Sequence, residues 1–169
     1  KNIYGYADRD LDIPSSINST YSFHTQSELL LGICLMQLVD HKKIKLTDKL
    51  SCYIPEYKYG NKITIKNLVK YNSGIPDFFY GKLMVILNES KEHKELPVAD
   101  RTYVEMKTMY AHRSFKHVLT LIGEQELDFE PGTNKNESET NWVFLAEIIE
   151  RVTGMSLYEY EKKYIFNPL

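Results

Sequence analysis

Residues 27–40 form the most apolar stretch of the chain and constrain its fold most strongly. They read SELLLGICLMQLVD, and the apolar side chains would surround nearly the whole circumference of a helix. Such a helix must be covered on most sides, so we expect it at the centre of a domain. Ser27 suits its N-cap because a serine hydroxyl can accept from a free first-turn N–H, and Glu28 suits the positive first turn.

The remaining pattern predicts many short helices and few strands. Residues 3–7 are predicted as a strand, residues 8–19 as a turn-rich connection, and residues 20–23 as a second strand or extended lead-in. N-cap chemistry predicts helices that begin at Thr47, Thr64, Asp100, Ser114 and Ser156 and end near Leu50, Tyr71, Tyr110, Ile122 and Tyr164. Residues 78–87 are predicted helical and 88–99 a surface loop, before a helix from Glu139 or Thr140 to Val152 that Gly154 stops.

Composition bounds the class of protein. A length of 169 residues with 43% hydrophobic residues suits one domain with a core. A net charge of −2 argues against a nucleic-acid binder, and no apolar run is long enough for a membrane span. The cysteines and histidines, including His112 and His117, lack a metal-ligand spacing, so neither metal nor cofactor is expected. Cys34 is predicted as a buried free thiol, with a Cys34–Cys52 disulfide as the alternative.

Three phrases carry a more specific signal. Residues 63–77 read ITIKNLVKYNSGIPD, in which Gly74 can form a left-handed turn and Pro76 forces an extended exit. Residues 129–133 read FEPGT, a turn, and residues 141–169 read NWVFLAEIIERVTGMSLYEYEKKYIFNPL. In this order the phrases resemble the penicillin-recognising serine hydrolases, which include class C β-lactamases and D-alanyl-D-alanine carboxypeptidases. The resemblance implies an α+β fold, namely the helix-rich part of a β-lactamase/transpeptidase-like domain with a few N-terminal antiparallel strands.

The family's chemistry depends on S-x-x-K, Y-x-N and K-T-G motifs. Counted from Phe23, the resemblance places the nucleophile at Ser27 and the lysine at Leu30. Counted back from residues 36–38, it places them at Thr25 and Glu28. Neither register contains the lysine that activates the serine hydroxyl. Ser27 is therefore a candidate nucleophile with a helix cap as its alternative role.

The second motif is also altered. At the spacing from Pro-Gly-Thr where the family carries tyrosine and asparagine, this chain carries Glu137 and Glu139. A carboxylate can serve as a base, so both are candidate catalytic residues. The alternative is that both are solvated on a polar loop and favour the next helix N-terminus.

The chain ends before the part of the family pattern that contains K-T-G. We therefore expect residues 1–169 to form a single partial domain that lacks the later strands. Open sheet edges would then allow self-association.

The resemblance implies a hydrolase homologue that acts weakly or not at all on acyl-D-alanine peptides, β-lactams or small esters. The alternative is a non-catalytic module that binds a partner protein or a cell-wall peptide on the same scaffold. A remnant without a selected role is the third hypothesis. Because the family works outside the cytoplasmic membrane, the resemblance also implies an extracytoplasmic or secreted location.

Overall fold

The computed structural model describes residues 2–21, 23–97, 100–101, 103–104, 107 and 114–169. The fold is α+β, as predicted. The two strands of an antiparallel sheet are β1 (Tyr6–Asp8) and β2 (Ile13–Pro14). The named α-helices are α1 (Ser27–Asp40), α2 (Ile65–Val69), α3 (Met84–Glu89), α4 (Lys91–Glu95), α5 (Phe115–Ile122), α6 (Thr140–Thr153) and α7 (Leu157–Glu161). Short 3-10 turns occupy His24–Gln26 and Leu50–Cys52, and π-helical turns occupy Phe79–Leu83 and Lys162–Phe166.

The core lies between α1 and α6, which pack against each other and against α7. Each of these two helices buries one stripe of apolar side chains at helical spacing. The buried stripe of α1 consists of Leu31, Cys34, Leu35 and Leu38, and that of α6 consists of Phe144, Leu145, Ile148 and Ile149. The prediction that α1 is covered on most sides is therefore only partly correct, because Leu29, Ile33 and Met36 are exposed.

The N-cap predictions have different outcomes. Thr64, Ser114 and Ser156 are the N-caps of α2, α5 and α7, and each side chain accepts from a backbone N–H three residues on. The prediction for Ser27 is wrong, because a 3-10 turn runs directly into α1 and moves the N-cap to Gln26. Thr47 also starts no helix, since residues 46–47 lie in a turn and the next helical turn begins at Leu50.

Other boundaries moved as well. The first strand starts at Tyr6, and its partner Ile13–Pro14 lies in the segment predicted as turn-rich. Residues 20, 21 and 23 are irregular, so the predicted second strand there is wrong. Helix α4 interrupts the loop predicted over 88–99, since Ser90 caps it through the backbone N–H of His93.

Two predictions reach residues outside the described part of the chain. Residues 100, 101, 103, 104 and 107 are helical, and the backbone N–H of Asp100 already donates to Pro97. Asp100 therefore lies within this helix rather than at its cap. The predicted helix end at Tyr110, and His112, lie outside the described residues.

Glycines 74 and 154 both adopt a positive φ, at +77° and +68°. Gly154 ends α6 as predicted. Helix α2 ends earlier than expected, at Val69, and Tyr71 takes the left-handed conformation with φ at +56°. Gly74 therefore shapes the turn after the helix instead of ending it.

Both cysteines are free thiols, so the disulfide alternative is excluded, and Cys34 is buried as predicted. Burial raises the pKa of the Cys34 thiol to about 11, which makes it an unreactive core residue. In the described part of the chain, no helix has the length and apolarity needed to cross a bilayer.

Candidate active site

The two turn-forming phrases pack together as one unit. Asp128 donates its backbone N–H to the carbonyl of Gly74 at 2.9 Å, and Gly132 donates to Asn72 at 2.8 Å. A Cβ on Gly74 would lie 2.1 Å from the carbonyl oxygen of Phe129, closer than any side chain tolerates. Glycine is therefore required at position 74 for two independent reasons, its left-handed φ and this close approach.

The same turn is fastened to the start of α6 by buried side chains. The hydroxyl of Thr140 accepts from the N–H of Phe78 at 2.9 Å and donates to the carbonyl of Pro76 at 2.8 Å. The hydroxyl of Ser73 donates to Asn141 Oδ1 at 2.6 Å. The two Thr140 bonds satisfy backbone groups that would otherwise be buried without a partner, and all three bonds fix the position of the α6 N-terminus.

Asp77 completes this connection. Its Oδ2 accepts from the backbone N–H of Glu139 at 2.6 Å, and its Oδ1 accepts from the backbone N–H of Tyr80 at 2.5 Å. The Asp77 carboxylate thus takes the capping role at the start of α6 that Glu139, the N-cap residue itself, does not perform with its side chain.

Tyr71 joins the first turn of α1 to the first turn of α6. Its hydroxyl donates to Glu28 Oε2 at 2.8 Å and accepts from the indole N–H of Trp142, with the two rings packed edge to face. Desolvation, with smaller contributions from the carboxylates of Glu28 and Glu139, raises the pKa of the Tyr71 phenol to about 12, against the lowering effect of the hydrogen bond from Trp142. Tyr71 is therefore a neutral hydrogen-bond donor at neutral pH.

The predicted site residues fall in two places. Ser27 is the first residue of α1, exposed and next to Glu28, and Glu139 is exposed at the start of α6. The Tyr71 hydroxyl is hydrogen-bonded to Glu28 in the first turn of α1 and to Trp142 in the first turn of α6, so these two helix starts lie around one phenol. Glu137 lies elsewhere, on a separate cleft.

That separate cleft, here called the acidic cleft, has a volume of about 380 Å³. Three carboxylates line it, those of Asp77, Asp128 and Glu137. Desolvation raises the pKa of Asp128, and the charge of Asp77 raises it further, while a hydrogen bond from Asn136 opposes both effects.

A larger cleft, here called the lysine cleft, has a volume of about 670 Å³. It lies between residues 69–72, which follow α2, and residues 132–135 of the Pro-Gly-Thr turn. Tyr71 is part of its lining, so this cleft adjoins the group that connects α1 to α6.

The sequence analysis did not assign Tyr71, Asp77, Thr140 or Trp142 to the site. Tyr71 and Asp77 lie inside the phrase of residues 63–77, Trp142 lies inside the phrase of residues 141–169, and Thr140 directly precedes that phrase, so position within or beside these phrases was the available signal. Among the described residues, no group of three or more histidine, cysteine, aspartate or glutamate side chains is arranged to hold a metal ion.

Comparison with known proteins identifies the class to which this fold and site belong. The Beta-lactamase family model matches residues 1–169, so the chain belongs to the β-lactamase family. A teichoic acid D-alanine hydrolase of Staphylococcus aureus is 26% identical over 166 residues, which are 98% of this chain and 35% of that protein.

Solved structures show the same fold. A penicillin-binding protein from Bacillus halodurans superposes with a TM-score of 0.71 at 23% identity, over 96% of this chain and 45% of that one. A D-amino acid amidase from Ochrobactrum anthropi gives a TM-score of 0.71 at 18% identity, over 98% of this chain and 40% of that one. The chain thus spans about a third of the length of the curated relatives it matches.

Proposed function

We propose that this chain is a β-lactamase-family hydrolase homologue with weak or no acyl-transfer activity toward acyl-D-alanine peptides, β-lactams or small esters. The first turn of α1 carries the proposal. One register of the family motif requires a lysine amine at position 28, and this chain has a carboxylate there, held by the Tyr71 phenol. The other register requires the amine at position 30, where the chain has Leu30.

The chemistry of the centre agrees with this proposal. A serine hydroxyl attacks a carbonyl efficiently only when a base takes its proton. Tyr71 is a poor candidate for this base, because its raised pKa of about 12 keeps the phenol protonated at neutral pH. Glu28 already accepts the phenol proton in a hydrogen bond.

Residual acyl transfer would follow a simple route. The Ser27 hydroxyl oxygen would bond to the substrate carbonyl carbon while its proton passes to the Glu139 carboxylate. That proton would then move to the leaving group as the carbonyl–leaving-group bond breaks, which leaves the acyl group on Ser27. Water would next attack the acyl carbon, give a proton to Glu139, and release the acid as the Ser27 oxygen takes that proton back. Glu139 is favoured over Glu137 because it is the N-cap residue of α6, the helix whose Trp142 donates to Tyr71, whereas Glu137 lines the acidic cleft.

The relative named as a teichoic acid D-alanine hydrolase supports D-alanyl compounds as the substrate class, for which we take a D-alanyl ester. The location outside the cytoplasmic membrane that the family resemblance implies is part of the same proposal. The test measures release of D-alanine from a D-alanyl ester by the wild-type chain and by Ser27→Ala. We expect the two rates to differ by less than about 10-fold. A wild-type rate more than about 100-fold higher contradicts the proposal, because a positioned base alone contributes a factor of this size.

The second candidate function is a non-catalytic binding module on the same scaffold. The lysine cleft favours it, because this cleft is large enough for a ligand and its walls are joined by backbone hydrogen bonds rather than by the candidate catalytic side chains.

A further inference from the structure

The lysine cleft is preformed by the backbone. Gly132 donates its N–H to the carbonyl of Asn72 at 2.8 Å, and Asn136 donates to the carbonyl of Tyr71 at 2.9 Å. These bonds join residues 71–72 on one wall of the cleft to the segment of residues 132–136 on the other. A ligand would therefore bind without first ordering either wall.

The side-chain amides that line this cleft present donors. Asn72 Oδ1 already accepts from Asn67 Nδ2 at 3.0 Å, and Asn134 Oδ1 already accepts from the backbone N–H of Lys135 at 2.9 Å. Each lining asparagine therefore has its NH₂ group left for a ligand, because its oxygen is engaged within the protein.

The charge of the cleft has one sign. Lys70 and Lys135 line it, and no carboxylate does. Within the part of the chain that the structure describes, neither ammonium group forms an ion pair, whereas the nearby Lys62 is paired with Glu130 at 2.8 Å. Two unpaired ammonium groups beside amide donors form a site that attracts an anion.

We propose that the lysine cleft binds the phosphate group of a phosphodiester ligand. Lysine binds phosphate as a point charge, and the NH₂ groups of Asn72 and Asn134 are donors for the two non-bridging oxygens of a phosphodiester. The open cleft, with a volume of about 670 Å³, has room for the groups on both sides of a phosphodiester. This inference rests on the proposed function and deepens it, since it names the chemistry by which a polymeric substrate would be held beside Tyr71.

The test is a titration of the ¹⁵N-labelled chain with glycerophosphoglycerol, a soluble phosphodiester, followed by amide chemical shifts. We expect saturable shifts centred on residues 69–72 and 132–135, and an affinity that falls as salt rises. Glycerol tests the need for the phosphate, and acetyl-D-alanyl-D-alanine tests a carboxylate in its place.

Two sets of variants show which side chains contribute to the affinity for the phosphodiester. The double variant Lys70→Gln/Lys135→Gln removes both charges, and we expect an affinity loss of at least about 10-fold. The matched control Lys43→Gln/Lys49→Gln removes two equally exposed charges elsewhere and should change affinity less than about 2-fold.

The sharper variants are Asn72→Asp and Asn134→Asp. Each keeps the side-chain oxygen that accepts from Asn67 or Lys135 but replaces the NH₂ donor with a negative oxygen, so binding should be lost while the fold persists. The proposal is overturned if no saturable shifts occur, if they centre elsewhere, if the control pair loses as much affinity, or if the carboxylate peptide binds more tightly than the phosphodiester. Because the titration requires no acyl transfer, its failure is distinguishable from failure of the D-alanine release test.

Discussion

The hydroxyl of Tyr71 donates to Glu28 Oε2 across 2.8 Å, which connects the turn after α2 to the first turn of α1. Trp142 donates to the same hydroxyl from α6. One phenol thus connects three chain segments by hydrogen bonds, at the place where the family resemblance puts the nucleophile. This arrangement stabilises the site but leaves no strong base in it, since the phenol is neutral and the carboxylate is engaged.

The pH dependence of stability should reveal this phenol. The folded state raises the pKa of Tyr71 to about 12, above the usual 10.0 of a tyrosine. A raised folded-state pKa gives a contribution that is fully present below pH 10 and lost as pH rises through the folded value. Between pH 9 and about 12, the free energy of unfolding should therefore fall more steeply with pH for the wild type than for Tyr71→Phe.

Glu28→Gln provides the complementary measurement on the same phenol. Removing the carboxylate charge removes a cause of the raised pKa, so the Tyr71 phenol should titrate at lower pH in this variant. The ¹³Cζ resonance of tyrosine reports this titration directly, and Tyr71→Phe assigns the resonance. An unchanged Tyr71 titration in Glu28→Gln would contradict the hydrogen bond.

Gly74→Ala should destabilise the fold by about 3 kcal/mol or more, because the new Cβ meets the Phe129 carbonyl oxygen at a left-handed φ. Gly154→Ala is the matched control. It has a similar φ of +68° with nothing within 4 Å of the added Cβ, so it should lose only about 1 kcal/mol. Urea unfolding of both variants separates the cost of the left-handed φ from the cost of the contact with Phe129. Equal losses in the free energy of unfolding would show that the Phe129 contact is absent.

Thr140→Val should destabilise the fold by about 2 to 4 kcal/mol. Valine matches the shape of threonine but leaves the N–H of Phe78 and the carbonyl of Pro76 buried without partners. Thr140→Ser keeps both hydrogen bonds and loses only a methyl group, so its loss should be near 1 kcal/mol. Denaturant unfolding ranks the free energies of unfolding of the two variants. A serine variant less stable than the valine variant would contradict the two hydrogen bonds assigned to the Thr140 hydroxyl.

Sequence reasoning succeeded where the chemistry is local. Thr64, Ser114 and Ser156 cap helices through N–H groups only three residues away, so a single turn of sequence contains both partners. The left-handed glycines at 74 and 154 were likewise readable, because glycine is the residue that adopts this conformation without strain.

The connections that build the site were not readable, because they join distant residues. Asp77 and Glu139 are 62 positions apart, and Tyr71 and Glu28 are 43 apart. The cap at Ser27 failed for a different reason. The 3-10 turn His24–Gln26 continues directly into α1, so the helical path begins before the serine that has cap chemistry.

Two expectations stay predictions. A single partial domain over residues 1–169 without the later strands is one, and self-association through open sheet edges is the other. A solution mass measurement over a range of concentrations tests the second, since edge pairing would give a concentration-dependent dimer.

The most direct test of the central claim, a retained scaffold with a disabled reactive centre, is intact-mass analysis after incubation with a fluorescent penicillin. We expect at most a small fraction of the protein to carry the adduct, attached to Ser27 and absent in Ser27→Ala. Rapid labelling of the whole population at Ser27 would contradict it, because full acylation requires an activated nucleophile that this α1 N-terminus does not provide.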